Sequence, residues 1–186
     1  VADRRSAGPP AHQAEGVTIV ELGAADVRDR LEELAQLLLD AHADGMGVRL
    51  AGPLTREVAR DAWLETAAQL DPQDHVLLAA LEGGALLGSV QVVRAGASNG
   101  RHRGEVVQLA VRADARGRGL GRALMERATE RARELGFTLL WLTTHVDTTA
   151  DRFYERLGWT RMGVMPGYAV LPDGTMAANA YFYREL

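Results

Sequence analysis

The sequence predicts an α/β (α+β) fold: a single domain on a mixed central sheet of about six to seven strands with helices on both faces. Three observations predict it. Apolar segments alternate in the order β-α-α-β-β-β-α-β-α-β-β. The middle of the chain reads as consecutive hairpins. The later strands are then separated by helices long enough to cross back over a sheet.

Val17 to Leu22 reads as a short first strand. Asp26 to Ala43 follows as a helix, with Val27, Leu31, Leu34, Leu38 and Ala41 at helical spacing. Gly45-Met46-Gly47 breaks it. Thr55 is placed to cap a second helix carrying Val58, Ala62, Ala67 and Leu70, and Asp71-Pro72 ends that helix. Val76 to Leu81 and Ala85 to Val93 form a hairpin about Glu82-Gly83-Gly84, and Glu105 to Arg112 is the next strand. Arg118 to Leu135 is a strongly amphipathic helix, with Leu120, Leu124, Ala128 and Ala132 as its apolar stripe and Gly136 as its cap. Thr138 to Thr144 reads as a buried strand and Ala150 to Leu157 as a short helix. Trp159 to Val170 and Ala177 to Arg184 close the sheet around Pro172-Asp173-Gly174. Trp63 and Trp141 are expected in the core.

Residues 17–186 are expected to form one domain. Val1 to Gly16 has few large apolar groups and is expected to be a flexible N-terminal tail. The net charge of −4 gives no reason to expect nucleic acid or an anionic membrane as partner. The absence of cysteine rules out disulfides, thiolate metal sites and an acyl-cysteine intermediate, and no metal is expected. No apolar run is long enough to span a bilayer, so the expected location is cytoplasmic.

The informative stretch runs from Gln108 to Leu124. Within it Arg116, Gly117, Arg118, Gly119, Gly121 and Arg122 interleave glycine with arginine between a strand and a helix. A helix start leaves backbone N–H groups unpaired, backed by the positive end of the helix dipole. Glycines leave that nest open to a phosphate, and arginines add charge. The combination predicts a diphosphate site. A P-loop needs Gly-Lys-Ser/Thr, whereas Arg122-Ala123 follows Gly121. A dinucleotide fingerprint needs its third glycine one position later and an acidic residue where Thr143 and Thr144 stand.

Arg116-x-x-Gly119-x-Gly121 resembles the signature of the GNAT superfamily of N-acetyltransferases. Asp147-x-x-Ala150-x-x-Phe153-Tyr154, followed by Gly158-Trp159, resembles that superfamily's second block. The resemblance implies acetyl-CoA as co-substrate, with its diphosphate on the glycine-arginine turn. It implies pantetheine contacts from the strand at Leu109 and Val111, and contacts to the cofactor arm from Asp147 and Ala150. Asp147 stands where the superfamily usually has asparagine.

Within the superfamily the chain is similar to tabtoxin-resistance acetyltransferases, through Gly104 to Arg112, Thr160 to Gly163, Pro166-Gly167-Tyr168 and Pro172-Asp173-Gly174. That likeness implies acetylation of an amine on a small antibiotic or antimetabolite. Homodimers are common among such relatives, which makes a second copy a candidate partner. The resemblance implies Tyr154 as the acid that protonates the departing sulfur. Glu105 and His145 are both candidates for the base. Relatives of the tabtoxin type carry an aspartate where this chain has Thr143. Alternative readings are a protein or peptide N-acetyltransferase and a non-catalytic CoA-binding regulatory module.

Overall fold

The computed structural model describes residues 16–46, 53–171 and 174–186. Most of the expected tail, Gly47 of the expected helix break, and Pro172-Asp173 lie outside the described residues.

The chain builds β1 (Val17–Leu22), α1 (Ala24–Asp29), α2 (Leu31–Ala43), α3 (Arg56–Gln69), β2 (His75–Glu82), β3 (Ala85–Arg94) and β4 (Arg103–Val111). It continues with α4 (Leu120–Glu134), β5 (Leu139–His145), α5 (Thr149–Arg156), β6 (Thr160–Val170) and β7 (Met176–Glu185). The seven strands form one sheet in the order β1-β2-β3-β4-β5-β7-β6. Only β4 and β5 run parallel, because α4 carries the chain back across the sheet between them.

Strand alternation divides the core. Val76 and Leu78 of β2 point to one face, where Val90, Val92, Leu124, Leu140 and Phe182 join them under α4 and α5. Leu77 and Ala79 point to the other, where Leu34, Leu38 and Trp63 close the layer beneath α1 to α3. Trp63 is buried and its indole Nε1 donates to the Leu34 carbonyl at 2.9 Å, so the core expectation holds for it. Trp141 is only partly buried and stacks on Tyr181, with centroids 6.0 Å apart.

Two helix boundaries differ from expectation. The helix expected from Asp26 to Ala43 is two helices that break at Arg30 (φ −106°, ψ 17°). Tertiary bonds hold the break. Arg30 Nη1 donates to the Gly84 carbonyl at 2.8 Å, and the Leu86 amide donates to Glu33 at 2.8 Å, which pins the start of α2 to the β2–β3 turn. The helix expected from Arg118 starts at Leu120, because Gly119 is its N-cap in left-handed geometry (φ 82°).

Two irregularities shape the functional end of the sheet. The parallel β4–β5 ladder pairs only Arg103 to Glu105 with Leu139 to Trp141, and beyond it the strands are unpaired with each other. In the same stretch β4 bulges. Val107 lies opposite Gln91 and Ala110 opposite Ser89, which leaves Gln108 and Leu109 against Val90 alone. Gln108 sits at φ 51°, a left-handed conformation uncommon for a residue with a side chain.

Candidate active site

The unpaired ends of β4 and β5 open a cleft of about 170 Å³. Its walls are Glu105 to Leu109 of β4, Thr143 to His145 of β5, and Thr148 to Ala150 and Tyr154 of the α5 segment. Asn179 of β7, Tyr168 and Ala169 of β6, and Asp44 to Met46 after α2 complete it.

Local sequence brings each wall into place. Gly45 (φ 72°) ends α2, and the Met46 amide closes the cap on the Ala41 carbonyl at 3.0 Å. That turn aims Asp44 to Met46 at the cleft. Thr148 caps α5: its hydroxyl accepts from the Asp151 amide at 3.3 Å and donates to the His145 carbonyl at 2.8 Å. Across β6–β7, Met165 pairs with Asn179 and Ala169 with Ala177, so β6 bulges at Pro166-Gly167-Tyr168, and Tyr168 and Ala169 reach the cleft wall.

Five of the predicted site residues meet here: Glu105, Leu109, His145, Ala150 and Tyr154 all line the cleft. Tyr154 is buried among Phe153, Trp159 and Phe182. Burial raises its phenol pKa well above the ordinary tyrosine value, so the hydroxyl keeps its proton. Glu105 acts at a distance on Tyr181, whose phenol is raised first by desolvation, then by Tyr168 and by the Glu105 charge.

The predicted residues Arg116, Gly117, Arg118, Gly119, Gly121 and Arg122 form the adjoining turn. Gly117 (φ 76°) and Gly119 (φ 82°) both need the left-handed region, and a Cβ at either would meet nothing within 4 Å. The turn is therefore open on its outer side. Gly121 has a different requirement: its Cβ would lie 3.3 Å from Phe153 Cζ, so it sets how closely α4 approaches α5. Arg116 ties the turn down. Its Nε donates to the Val111 carbonyl at 3.0 Å and its Nη2 to Asp44 at 2.5 Å. Arg118 pairs with Glu82, whose carboxyl it holds below the usual range, and Arg122 lies 3.7 Å from Glu126. Beyond the N-cap the amides of Leu120, Gly121 and Arg122 have no preceding helical carbonyl to bond, and the first intrahelical bond runs from the Ala123 amide to the Gly119 carbonyl at 3.0 Å.

Strict strand alternation would set Glu105, Val107, Leu109 and Val111 on one face, and β4 departs from it. The bulge reverses the alternation, so Leu109 and Val111 pack with the α4 core while Ala110 joins the opposite layer. Asp147 is exposed and is absent from the cleft wall; it turns the chain in left-handed geometry (φ 60°) while its amide donates to Asp151 at 3.3 Å.

The wall also holds residues that sequence reasoning missed. Gln108 reads as an ordinary strand residue until the bulge exposes it. Asn179 lies far along the chain and reaches His145 only through the β5–β7 register. Thr148 and Thr149 stood inside the recognised second block and were legible there as a helix start. Among the described residues, no group of three or more His, Asp or Glu side chains is placed to hold a metal ion. No helix among them is long and apolar enough to cross a membrane.

A mixed sheet whose central parallel pair opens beside a glycine-arginine helix start is the architecture of a CoA-dependent acyltransferase. Residues 32–159 match the model of the acetyltransferase (GNAT) family, and the chain belongs to that family. It is 33% identical over 147 residues to a mycothiol acetyltransferase of Propionibacterium freudenreichii, covering 75% of this chain and 44% of that protein. The chain thus spans less than half the length of this curated relative. Among solved structures it is similar to an N-acetyltransferase of Staphylococcus aureus Mu50, with TM-score 0.74 and 18% identity over 91% of this chain and 98% of that one. It is also similar to yncA of Salmonella typhimurium, solved with its cofactor acetyl-CoA, with TM-score 0.73 and 20% identity over 92% and 95% of the two chains. The open turn and the cleft fit the acetyl-CoA that this family uses: one offers unpaired amides, the other a slot between two strand edges.

Proposed function

We propose that this chain moves an acetyl group from acetyl-CoA to an amino group of a small molecule, by direct attack with both substrates bound. One observation carries the reading: Glu105, His145 and Tyr154, on three separate elements, line one cleft that opens where β4 and β5 part.

Acetyl-CoA supplies the activated acetyl thioester. Gly117 to Arg122 hold its diphosphate through backbone amides, and the β4 edge at Leu109 and Val111 receives the pantetheine arm. The acceptor nitrogen must lose a proton as it forms its bond to the acetyl carbon. Glu105 or His145 takes that proton, directly or through water. As the carbon–sulfur bond breaks, Tyr154 donates its hydroxyl proton to the sulfur. A phenol kept neutral by burial suits that role.

The acceptor is an antibiotic, antimetabolite or biosynthetic intermediate. The likeness to tabtoxin-resistance enzymes and to a mycothiol acetyltransferase supports a small molecule. Tyr168 and Ala169, at the β6 bulge, close one side of the cleft, which favours a small acceptor over a polypeptide. Amine-dependent release of CoA thiol, measured across small amines and across peptides, tests the reading; transfer confined to peptides would replace it with the protein-acetyltransferase reading.

A second copy of the chain is the expected partner. Met162, Val164, Met165, Tyr168, Val170 and Met176 are exposed together on the β6 edge and its hairpin, and no charged residue interrupts Met162 to Leu171. Together they offer on the order of 500 Å² of surface, a large part of the roughly 800 Å² per partner that a stable interface buries. Sedimentation of the intact chain against a Met162→Glu/Val164→Glu variant tests this: a dimer that the variant converts to monomer is expected, and a monomeric parent rejects it.

A further inference from the structure

A chain of three polar side chains crosses the buried face of the sheet and ends at the cleft. His75 Nε2 lies 2.6 Å from Gln91 Oε1, and Gln91 Nε2 donates to Gln108 Oε1. His75 and Gln91 are buried, at 9% and 2% exposure, in a layer otherwise made of Leu34, Leu38, Trp63 and Leu77. Burying polar groups there costs free energy unless each is hydrogen-bonded, and apolar residues would pack as well. The last member is the residue at φ 51° on which the β4 bulge turns.

We infer that His75 and Gln91 are positioning residues for the acetyl-transfer site, acting through Gln108. The direction of the bonds is set by chemistry. A glutamine amide has one acceptor end and one donor end. The Gln91 oxygen accepts, so His75 carries its hydrogen on Nε2. The Gln91 nitrogen donates, so Gln108 turns its oxygen inward to meet it. This bond ties the side chain of Gln108 to the centre of the sheet at the point where its backbone leaves regular strand geometry. The bulge reverses the facing of every later β4 residue, so the same tie keeps Leu109 and Val111 on the α4 side, toward the glycine-arginine turn. Without it, the left-handed conformation at Gln108 has less to oppose relaxation to a regular strand, which would return Leu109 and Val111 to the other face.

The inference rests on the acetyltransferase reading and is independent of the acceptor, so the test uses acetyl-CoA with water as acceptor. Gln91→Met keeps the volume and removes both hydrogen bonds. It is expected to lower the rate of CoA release at subsaturating acetyl-CoA at least about tenfold, chiefly by raising KM, because Leu109 and Val111 receive the pantetheine arm. In a Gln108→Ala background the same substitution is expected to have no further effect, because its route to the site is already cut. His75 provides a second arm should Gln91→Met fail to fold: His75→Phe lowers the rate in the same way, and His75→Gln, which keeps a donor, restores most of it. An unchanged rate in both Gln91→Met and His75→Phe, or an equal loss with and without Gln108, overturns the inference. A parent chain that neither binds nor cleaves acetyl-CoA removes the acetyltransferase reading itself, and this inference falls with it.

Discussion

His145 Nδ1 lies 2.7 Å from Asn179 Oδ1, directly across the β5–β7 ladder. With the amide oxygen as acceptor, the ring hydrogen sits on Nδ1 and the lone pair remains on Nε2. In its neutral form the ring is therefore held in the tautomer a base requires. Asn179→Ala is expected to lower amine-dependent turnover about tenfold if His145 is the base, with acetyl-CoA affinity unchanged. Steady-state kinetics on Asn179→Ala, His145→Gln and Glu105→Gln identifies the base as the residue whose loss removes the acidic limb of the rate profile.

Among the described titratable side chains at the cleft, Tyr154 has its pKa strongly raised by burial. Tyr154→Phe is expected to reduce turnover by roughly 100-fold or more and to leave the Kd of acetyl-CoA near its starting value. Comparable losses in both quantities would assign the hydroxyl to binding.

The same burial gives a stability signature. The folded-state pKa of Tyr154 is raised above its ordinary value of 10.0. Above that pH the unfolded chain releases the phenolic proton and the folded chain keeps it, so stability falls as pH rises through the unfolded pKa. Below pH 10.0 both states are protonated and the group contributes no slope. Thermal melts of the parent and Tyr154→Phe should diverge only on the alkaline side, with the parent losing more.

Gly119→Asp tests the phosphate turn. The residue sits at φ 82° with open space beyond it, so the substitution adds a carboxylate at the helix start without a clash. Left-handed geometry costs about 1–2 kcal/mol for a residue with a side chain. The variant is expected to fold with a slightly lower Tm and to show no heat of CoA binding in calorimetry. Retained affinity would move the diphosphate elsewhere.

Leu124 is fully buried, and its Cδ1 would lie 3.3 Å from a Cβ at Gly88 on β3. Leu124→Ala is expected to cost about 3 kcal/mol, measured by denaturant titration. The cavity would lie directly behind the first turn of α4, so weaker CoA binding should accompany the lost stability.

The sequence by itself determined the order of elements apart from the split of the first helix, the seven-strand mixed sheet within its expected range, and the glycine-arginine turn at a helix start. These follow from local physics. Apolar periodicity selects helix or strand, and Gly117, Gly119, Gly136 and Gly158 mark positions where the backbone must turn left-handed. The second recognised block brought Tyr154 and Ala150 to the cleft for the same reason, since it is a contiguous segment. Only the tertiary structure decided the break at Arg30, the bulge at Gln108 and the pairing of His145 with Asn179. Each depends on bonds between residues far apart in the chain, whose energies no local window contains. A one-residue bulge carries the largest consequence: side-chain facing in a strand has a period of two, so one extra residue re-aims every residue beyond it.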